Sequence, residues 1–399
     1  MELKMFAVFL LIVVLFAGCG KKNNEIQGDN RKAEAGMEFG TEQKAETELD
    51  IGTDETEGEK GTGKEGTEPK PDEEPESPAN YQRESESGKV KFDCKVETPD
   101  SFRKDNICRF RVSGICNGDT QSILLKYVEG KEITEKIEEK AQNGVQDMAY
   151  CIMADGTVIN IDESGYYFSS KNGTYYHNAR AMDADYQEEY RKGHVSFASG
   201  EDAIRAVRQE LDEIGFSEFE FQLVAYPASH EVMQKVEAEV YADEAGPSQK
   251  KGTWTQKDDV YVVYGFQTQD TIPIFHRWMT VFRSMAYDNV DNASVQAVYS
   301  SRGIEFLMAQ PIYYLEDTGE TLTLKEFEEI AGIVEAKFEN ILNESTYVVN
   351  RAKLFQMVRL NENQEYAAEP IWYFEVTEDG ISKSVTLVDA VTGKEIFLK

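Results

Sequence analysis

The arrangement of apolar and polar positions divides the chain into three kinds of sequence. Residues 5–17 are almost wholly apolar, residues 20–89 are almost wholly polar, and from Val90 onward short apolar runs alternate with turn residues. In this last part, period-2 alternation or short apolar blocks predict strands in "VKFDCKV", "ICRFRVSGIC" and "SILLKYV", while "ITEKIEEKAQ" predicts a short helix. "YCIMADGTVINID" and "GYYFSSKNGTYYH" predict hairpins turning at Asp155-Gly156 and Asn172-Gly173, dipeptides that accept the positive φ of tight turns.

The period changes at "SGEDAIRAVRQELDEIGF". Ile204, Val207, Leu211 and Ile214 recur at helical spacing, Ser199 and Asp202 are placed to cap the start, and Gly215 supplies the stop. Strands are predicted next in "FEFQLVAYP", "VEAEVYA", "VYVVYGFQTQ", "RWMTVFRSMAY" and "SVQAVYSSRGIEFLMA", with Ser248 to Gln256 as an exposed loop. A second helix is signalled by the Thr323–Glu326 capping box and the stripe Leu324, Phe327, Ile330, Val334, Phe338 and Ile341. Strands "TYVVNRAKLFQMVRL", "EPIWYFEVTE" and "SVTLVDAVTGKEIFL" follow it.

These elements predict an α+β protein: a β-rich module over residues 90–192, then two units, 193–318 and 319–399, each a helix packed on an antiparallel sheet. "VQAVYSSRGIEFL" and "VTLVDAVTGKEIFL" share a strand–turn–strand ending, and "DDVYVVYGF" and "EPIWYFEV" supply the strand before it, which suggests a degenerate duplication. The segment "WYFEVTEDG" followed by "VTLVDAVTGKEI" resembles the end of PepSY-type modules, through Trp372, Phe374, Val376, Asp389, Ala390, Thr392, Gly393 and Lys394. Two tandem units of this kind also resemble the YycH and YycI regulators of a sensor kinase. Physically, Gly393 sits where a hairpin needs positive φ, and Asp389 is placed to bond backbone amides across the turn.

The apolar run at residues 5–17 covers roughly 20 Å as a helix, short of the ~30 Å bilayer core, and suits the h-region of a secretory signal. Leu15-Phe16-Ala17-Gly18-Cys19 resembles the lipobox of bacterial lipoproteins. That resemblance implies residues 1–18 as a signal peptide, Cys19 as the diacylated mature N-terminus, and attachment to the extracytoplasmic face of the cell membrane. The whole chain then resembles uncharacterised lipoproteins of Gram-positive gut bacteria. Two acyl chains suffice for stable anchoring.

Residues 20–89 hold 20 Asp and Glu against 10 Lys and Arg, with Gly, Thr, Pro and Ser between them. Such a stretch buries too little apolar surface to offset its ordering entropy, so residues 19–89 are expected to be a disordered acidic tether. The chain carries a net charge of −32, of which −22 falls after Lys89. That balance argues against nucleic acid as a partner.

Candidate chemistry is sparse. His177, His194, His230 and His276 form no metal-binding motif, and "GTGKEG" lies in the tether with no strand before it, so no metal or cofactor is implied. "DNVDNAS", residues 288–294, lacks the EF-hand spacing. Cys94, Cys108, Cys116 and Cys151 all fall in the first module, which allows two disulfides outside the cytoplasm with three pairings open. Tyr166, Tyr167, Tyr175 and Tyr176 crowd one predicted hairpin, where outward rings would form an aromatic binding surface.

The expected function is non-catalytic: binding, inhibiting or regulating an extracytoplasmic protein partner at the membrane surface. A glycan- or peptide-binding lipoprotein is the alternative, and an extracytoplasmic hydrolase the second alternative.

Overall fold

Val90, Phe92, Cys94 and Val96 are buried while Lys91, Asp93 and Lys95 face solvent, so this stretch lies as a strand with one face on a core. The same logic runs through the computed structural model, which describes residues 80–99, 102–103, 107–139, 148–179, 194–240, 250–275, 293–361 and 364–397, apart from the side chains of residues 177–179 and 239–240. All of these belong to one compact unit, Pro75–Lys399. Residues 1–79, which hold the expected signal, Cys19 and most of the expected tether, lie outside the described residues. So do "RWMTVFRSMAY" and most of "DNVDNAS".

The chain begins with β1 (Asn80–Glu84), β2 (Val90–Glu97), β3 (Ile107–Cys116) and helix α1 (Thr120–Tyr127). Four strands follow, β4 (Ile133–Glu139), β5 (Met148–Met153), β6 (Val158–Asp162) and β7 (Gly165–Ser169), then helices α2 (Gly173–Ala179) and α3 (Gly200–Leu211). Next come β8 (Glu220–Ala228), helix α4 (His230–Val240), β9 (Val260–Gln269), β10 (Ile272–Phe275), β11 (Val295–Ser300), β12 (Gly303–Ala309) and β13 (Ile312–Leu322). Helix α5 (Phe327–Glu339) and strands β14 (Tyr347–Leu360), β15 (Tyr366–Glu378), β16 (Ser382–Asp389) and β17 (Glu395–Ile396) complete the unit.

Two ladders organise the strands. In one, the antiparallel run β4–β5–β6–β7 continues through β12, β11 and β9 to β8. In the other, β1 pairs with β2, β2 lies parallel to β14, and β14–β15–β16–β17 run antiparallel. The β3–β13 pair joins this second ladder where Phe110 and Arg111 meet Ala368 and Ala367 of β15. β10 is antiparallel to β9 in the first ladder and parallel to β14 in the second. Through it, all 17 strands among the described residues form one hydrogen-bonded network.

Three apolar cores follow from the alternation. Val260, Val262, Tyr264 and Phe266 of β9 face Phe355, Met357, Ile371 and Tyr373 across the gap between the ladders. The opposite face of the first ladder, with Val263, Ala297 and Leu307, buries Ala203, Val207 and Leu211 of α3. The outer face of the second, with Leu354, Trp372 and Phe374, buries Phe327, Ile330, Val334 and Phe338 of α5. Each large apolar side chain so buried contributes about 1.5–3 kcal/mol.

The start of α3 matches its sequence signal. Ser199 Oγ accepts from Asp202 N at 3.1 Å while the Asp202 carboxylate accepts from Ser199 N at 3.0 Å. Gly215 ends the helical path at φ 100°, and a methyl group there would come within 2.4 Å of Asp119 N at the cap of α1. The Thr323–Glu326 box, by contrast, does not form, because α5 starts at Phe327 with no side-chain cap.

The expected fold class requires correction. The structure is a large mixed sheet of 17 strands with few helices, not a β-rich module followed by two helix-on-antiparallel-sheet units resembling PepSY. Strands from residues 90–192 pair with strands far along the chain: β2 with β14, β3 with β13 and β7 with β12. Alternation along a strand fixes which face is buried and leaves the neighbouring strand undetermined.

Four local expectations also change. "SILLKYV" belongs largely to helix α1, capped by the Asp119 carboxylate. "ITEKIEE" is strand β4, exposed along its length and held by β5. "VEAEV" lies in helix α4, and "NGTYYH" enters helix α2 instead of turning back as a hairpin.

Candidate functional site

The site is built by a turn. Between β9 and β10 the chain reverses in two residues, Asp270 and Thr271, at φ 49° and 67°. A two-residue reversal of this hand matches the twist of the flanking strands. For a β-branched threonine the conformation is strained, by about 1–3 kcal/mol. β10 then runs on to pair with Gln356 and Met357 of β14. One short strand thus brings the strained turn and Gln356 together.

Residues from the start of the unit close the other side. Pro99, Phe102 and Arg103 follow β2, and Ile107 and Cys108 open β3. Together with Asp270, Thr271, Ile272 and Gln356 they line a cavity of about 230 Å³. Its inner wall is apolar, with Phe102, Ile107 and Ile272 buried, while Arg103, Asp270 and Thr271 are exposed at its mouth.

Gln356 is the unusual member. It is fully buried, and among the described residues neither its amide nitrogen nor its amide oxygen has a hydrogen-bond partner. A buried amide without partners costs about 1–3 kcal/mol, so the position is unfavourable for the fold. At the mouth, partial burial and the nearby Asp317 carboxylate raise the pKa of Asp270, and among the described residues no cation pairs with it. Burial, Asp317 and Asp270 also raise the pKa of the Cys108 thiol, which keeps it protonated and weakly nucleophilic near neutrality. The Arg103 guanidinium donates to Phe102 O at 2.7 Å. The cavity thus offers charged groups of both signs at its mouth and an apolar wall within.

The residues singled out in the sequence lie elsewhere, with one exception. Cys94, Cys108, Cys116 and Cys151, for which the sequence left disulfides possible, are free thiols in this structure. Cys94 packs in the core under α5, where burial pushes its pKa up to about 12, while Cys116 and Cys151 sit in the core under α3. Only Cys108 reaches the cavity. The four tyrosines present no exposed row: Tyr166 and Tyr176 are fully buried, and Tyr167 and Tyr175 are half-buried against the core between the ladders. Tyr176 accepts a 2.7 Å hydrogen bond from Arg302, and Tyr167 meets Phe306 edge-on at 5.4 Å.

Of the histidines, His194 is exposed, and His276 and the side chain of His177 lie outside the described residues. His230 opens α4 with both its backbone N and its Nδ1 2.8 Å from Asp259. Its Nε2 lies 3.1 Å from Glu231. Among the described residues no group of three or more His, Cys, Asp and Glu could hold a metal ion. No described helix is long and apolar enough to cross a membrane.

Arg103, Asp270, Thr271 and Gln356 were not flagged by sequence motifs. Two signals were present: a polar residue inside the apolar run "KLFQMV", and the short polar interruption "QDT" between two β-rich runs.

No family model matches the chain, and no curated protein matches it. Among solved structures it is similar to an uncharacterised protein from Eubacterium rectale ATCC 33656, with a TM-score of 0.57 and 16% sequence identity. That similarity covers 81% of this chain and 94% of the other, and at this identity it concerns the fold alone.

Proposed function

We propose that this chain is a non-catalytic binding protein held at the extracytoplasmic face of the cell membrane by a diacylated Cys19, and that the cavity beside the Asp270-Thr271 turn is where it takes its ligand. The observation that carries the binding reading is the cavity itself, about 230 Å³, with an apolar inner wall and both Arg103 and Asp270 at its mouth. The raised pKa of the Cys108 thiol favours binding over nucleophilic chemistry at the same place. The anchoring rests on the resemblance of Leu15–Cys19 to a lipobox. Binding of this kind suits a surface protein that senses a peptide or passes its occupancy to a protein partner.

Native mass spectrometry of the full chain, released from membranes in mild detergent, tests both parts. The expected result is an N-terminal diacylglyceryl cysteine at residue 19 and a small bound mass that is absent from Cys108→Trp, which fills the cavity. An unacylated residue 19 would sink the anchoring. A wild-type protein with no bound mass, and unchanged in melting temperature by any member of an amino-acid, dipeptide and sugar panel, would sink the binding.

A further inference from the structure

We infer that the outer edge of β4 docks an extended segment of a partner protein, and that the segment carries a cationic side chain on either side of an apolar one, each two residues away. None of the residues involved lines the cavity, so this goes beyond the reading proposed for it.

Among the described strands, only β4 is exposed at every residue. Its one described strand partner is β5, so alternate residues along its other edge direct N–H and C=O groups at solvent. The remaining outer strands are covered, irregular or short. Arg83 of β1 is tied to Glu335 of α5 at 2.9 Å. Phe221, Leu223 and Ala225 of β8 pack against the core under α3. β13 loses register between Asp317 and Thr321, and β17 has two residues. β4 itself is irregular only between Ile133 and Glu135, after which Glu135–Glu139 run in even register with β5. It contains neither proline nor glycine to interrupt a further strand.

The side chains on these five residues select the partner. Lys136 and Glu138 share the face of Cys151 and Ala149 and neutralise each other at 2.7 Å. Glu135, Ile137 and Glu139 share the opposite face, beside Ile152, Tyr150 and Met148. Burial and then the Glu135 carboxylate raise the pKa of Tyr150, which places that carboxylate near the phenol. Ile137 is exposed, and among the described residues no cation pairs with Glu135 or Glu139. The common guard on an edge strand is lysine. Here the uncompensated charges are both negative and flank an isoleucine. An added strand sets its side chains directly opposite, about 4.5–5.5 Å away between Cβ atoms, where opposite charges attract and like charges repel. Cations opposite Glu135 and Glu139, with a β-branched residue opposite Ile137, answer all three positions. A second copy of β4 does not, because antiparallel pairing about Ile137 sets Glu135 against Glu139 twice. The net charge of −32 steers a cationic segment towards the chain.

Strand addition divides the work between backbone and side chains: main-chain hydrogen bonds hold the segment, and alternate side chains choose it. It also supports β4. Glutamate and lysine are poor strand formers, so the strand state of this segment leans on β5, and a neighbour on the outer edge gives it a second support.

Titration of the full chain with a short peptide tests the assignment. The peptide is capped at both ends and has lysine at its second and sixth positions, valine at the fourth and threonine at the first, third, fifth and seventh, a symmetry that suits either strand direction. It is expected to bind and to slow amide hydrogen exchange across Glu135–Glu139. The same peptide with glutamate in place of lysine is expected to bind about tenfold or more weakly. The double variant Glu135→Lys with Glu139→Lys, changed only at exposed positions, is expected to reverse that preference. Methylating the peptide's backbone nitrogens at odd or at even positions is expected to abolish binding for one set and spare the other, because one edge of the peptide faces β4. Equal binding of the lysine and glutamate peptides, unchanged exchange across β4, or equal effects of the two methylation patterns would overturn the assignment. So would dimerisation of the chain that protects β4 from exchange, which would make a second copy the occupant. Each of these failures leaves the cavity reading standing.

Discussion

Arg359 and Asp389 are bonded across the end of β16, and the same carboxylate also caps the turn that follows it. One oxygen of Asp389 takes the Arg359 guanidinium, and the other accepts from Val391 N at 3.0 Å and Thr392 N at 2.7 Å. Arg359 also reaches Glu369 at 2.9 Å, and Glu369 in turn meets Arg109 at 3.0 Å. Burial alone would raise the pKa of Asp389, but Arg359 and the Thr392 amide outweigh it and hold the carboxyl below the ordinary range.

Arg359→Met leaves a buried carboxylate without its cation and is expected to cost about 3–5 kcal/mol at pH 7. A carboxyl whose folded pKa is depressed contributes stability above its unfolded pKa of about 3.9, and that contribution is lost as pH falls through the lower folded value. The gap between wild type and Arg359→Met should therefore narrow as urea denaturation is moved from pH 7 to pH 3. A gap that stays constant across that range would show that the loss is one of packing.

Lys353 has the opposite sign. Its ammonium lies over the rings of Phe355 and Phe266, 4.8 Å and 5.1 Å from their centres. Burial, then repulsion by Arg351, pushes its pKa down to about 8. Between pH 8 and the unfolded value of about 10.4 the unfolded chain binds the extra proton, so this residue makes stability rise with pH. Lys353→Met is expected to stabilise the protein at pH 7 and to flatten that rise, measured as the difference in denaturation midpoint from wild type at pH 7 and pH 10.

Gln356→Leu removes the unsatisfied amide and keeps the volume. It is expected to stabilise the ligand-free protein by about 1–3 kcal/mol. Thermal unfolding after dialysis against denaturant and refolding would show it, and a lower melting temperature would mean that the amide is satisfied in the free protein.

Thr271→Gly is expected to raise stability by about 1 kcal/mol, because glycine adopts φ 67° without the threonine side-chain clash, less the extra entropy it gains when unfolded. Chemical denaturation of the two proteins side by side measures this.

Much of the local structure was legible in the sequence. The Ser199–Asp202 cap, the Gly215 stop, strands β14 to β16 and the Asp389 turn all formed where their residues pointed. Segments whose state depends on a distant partner do not show that state in their own residues. "ITEKIEE" carries helix-forming residues and exposes all of them, and its strand state comes from pairing with β5. "SILLKYV" is apolar enough for a strand, but the Asp119 carboxylate bonds the amides of Gln121 and Ser122 and starts a helix. The cavity was illegible for a related reason. Arg103, Asp270 and Gln356 are separated by long stretches of chain, and nothing in local periodicity shows that β10 lies against β14. A glutamine inside an apolar strand was the one available hint.

β10 is only four residues long, yet it hydrogen-bonds to β9 on one edge and to β14 on the other. A strand with that double allegiance works as a rivet: pulling either ladder away strips bonds from both, so the joined sheets should melt in one step. A ligand pressed against the adjoining turn would be gripping the protein at the rivet head.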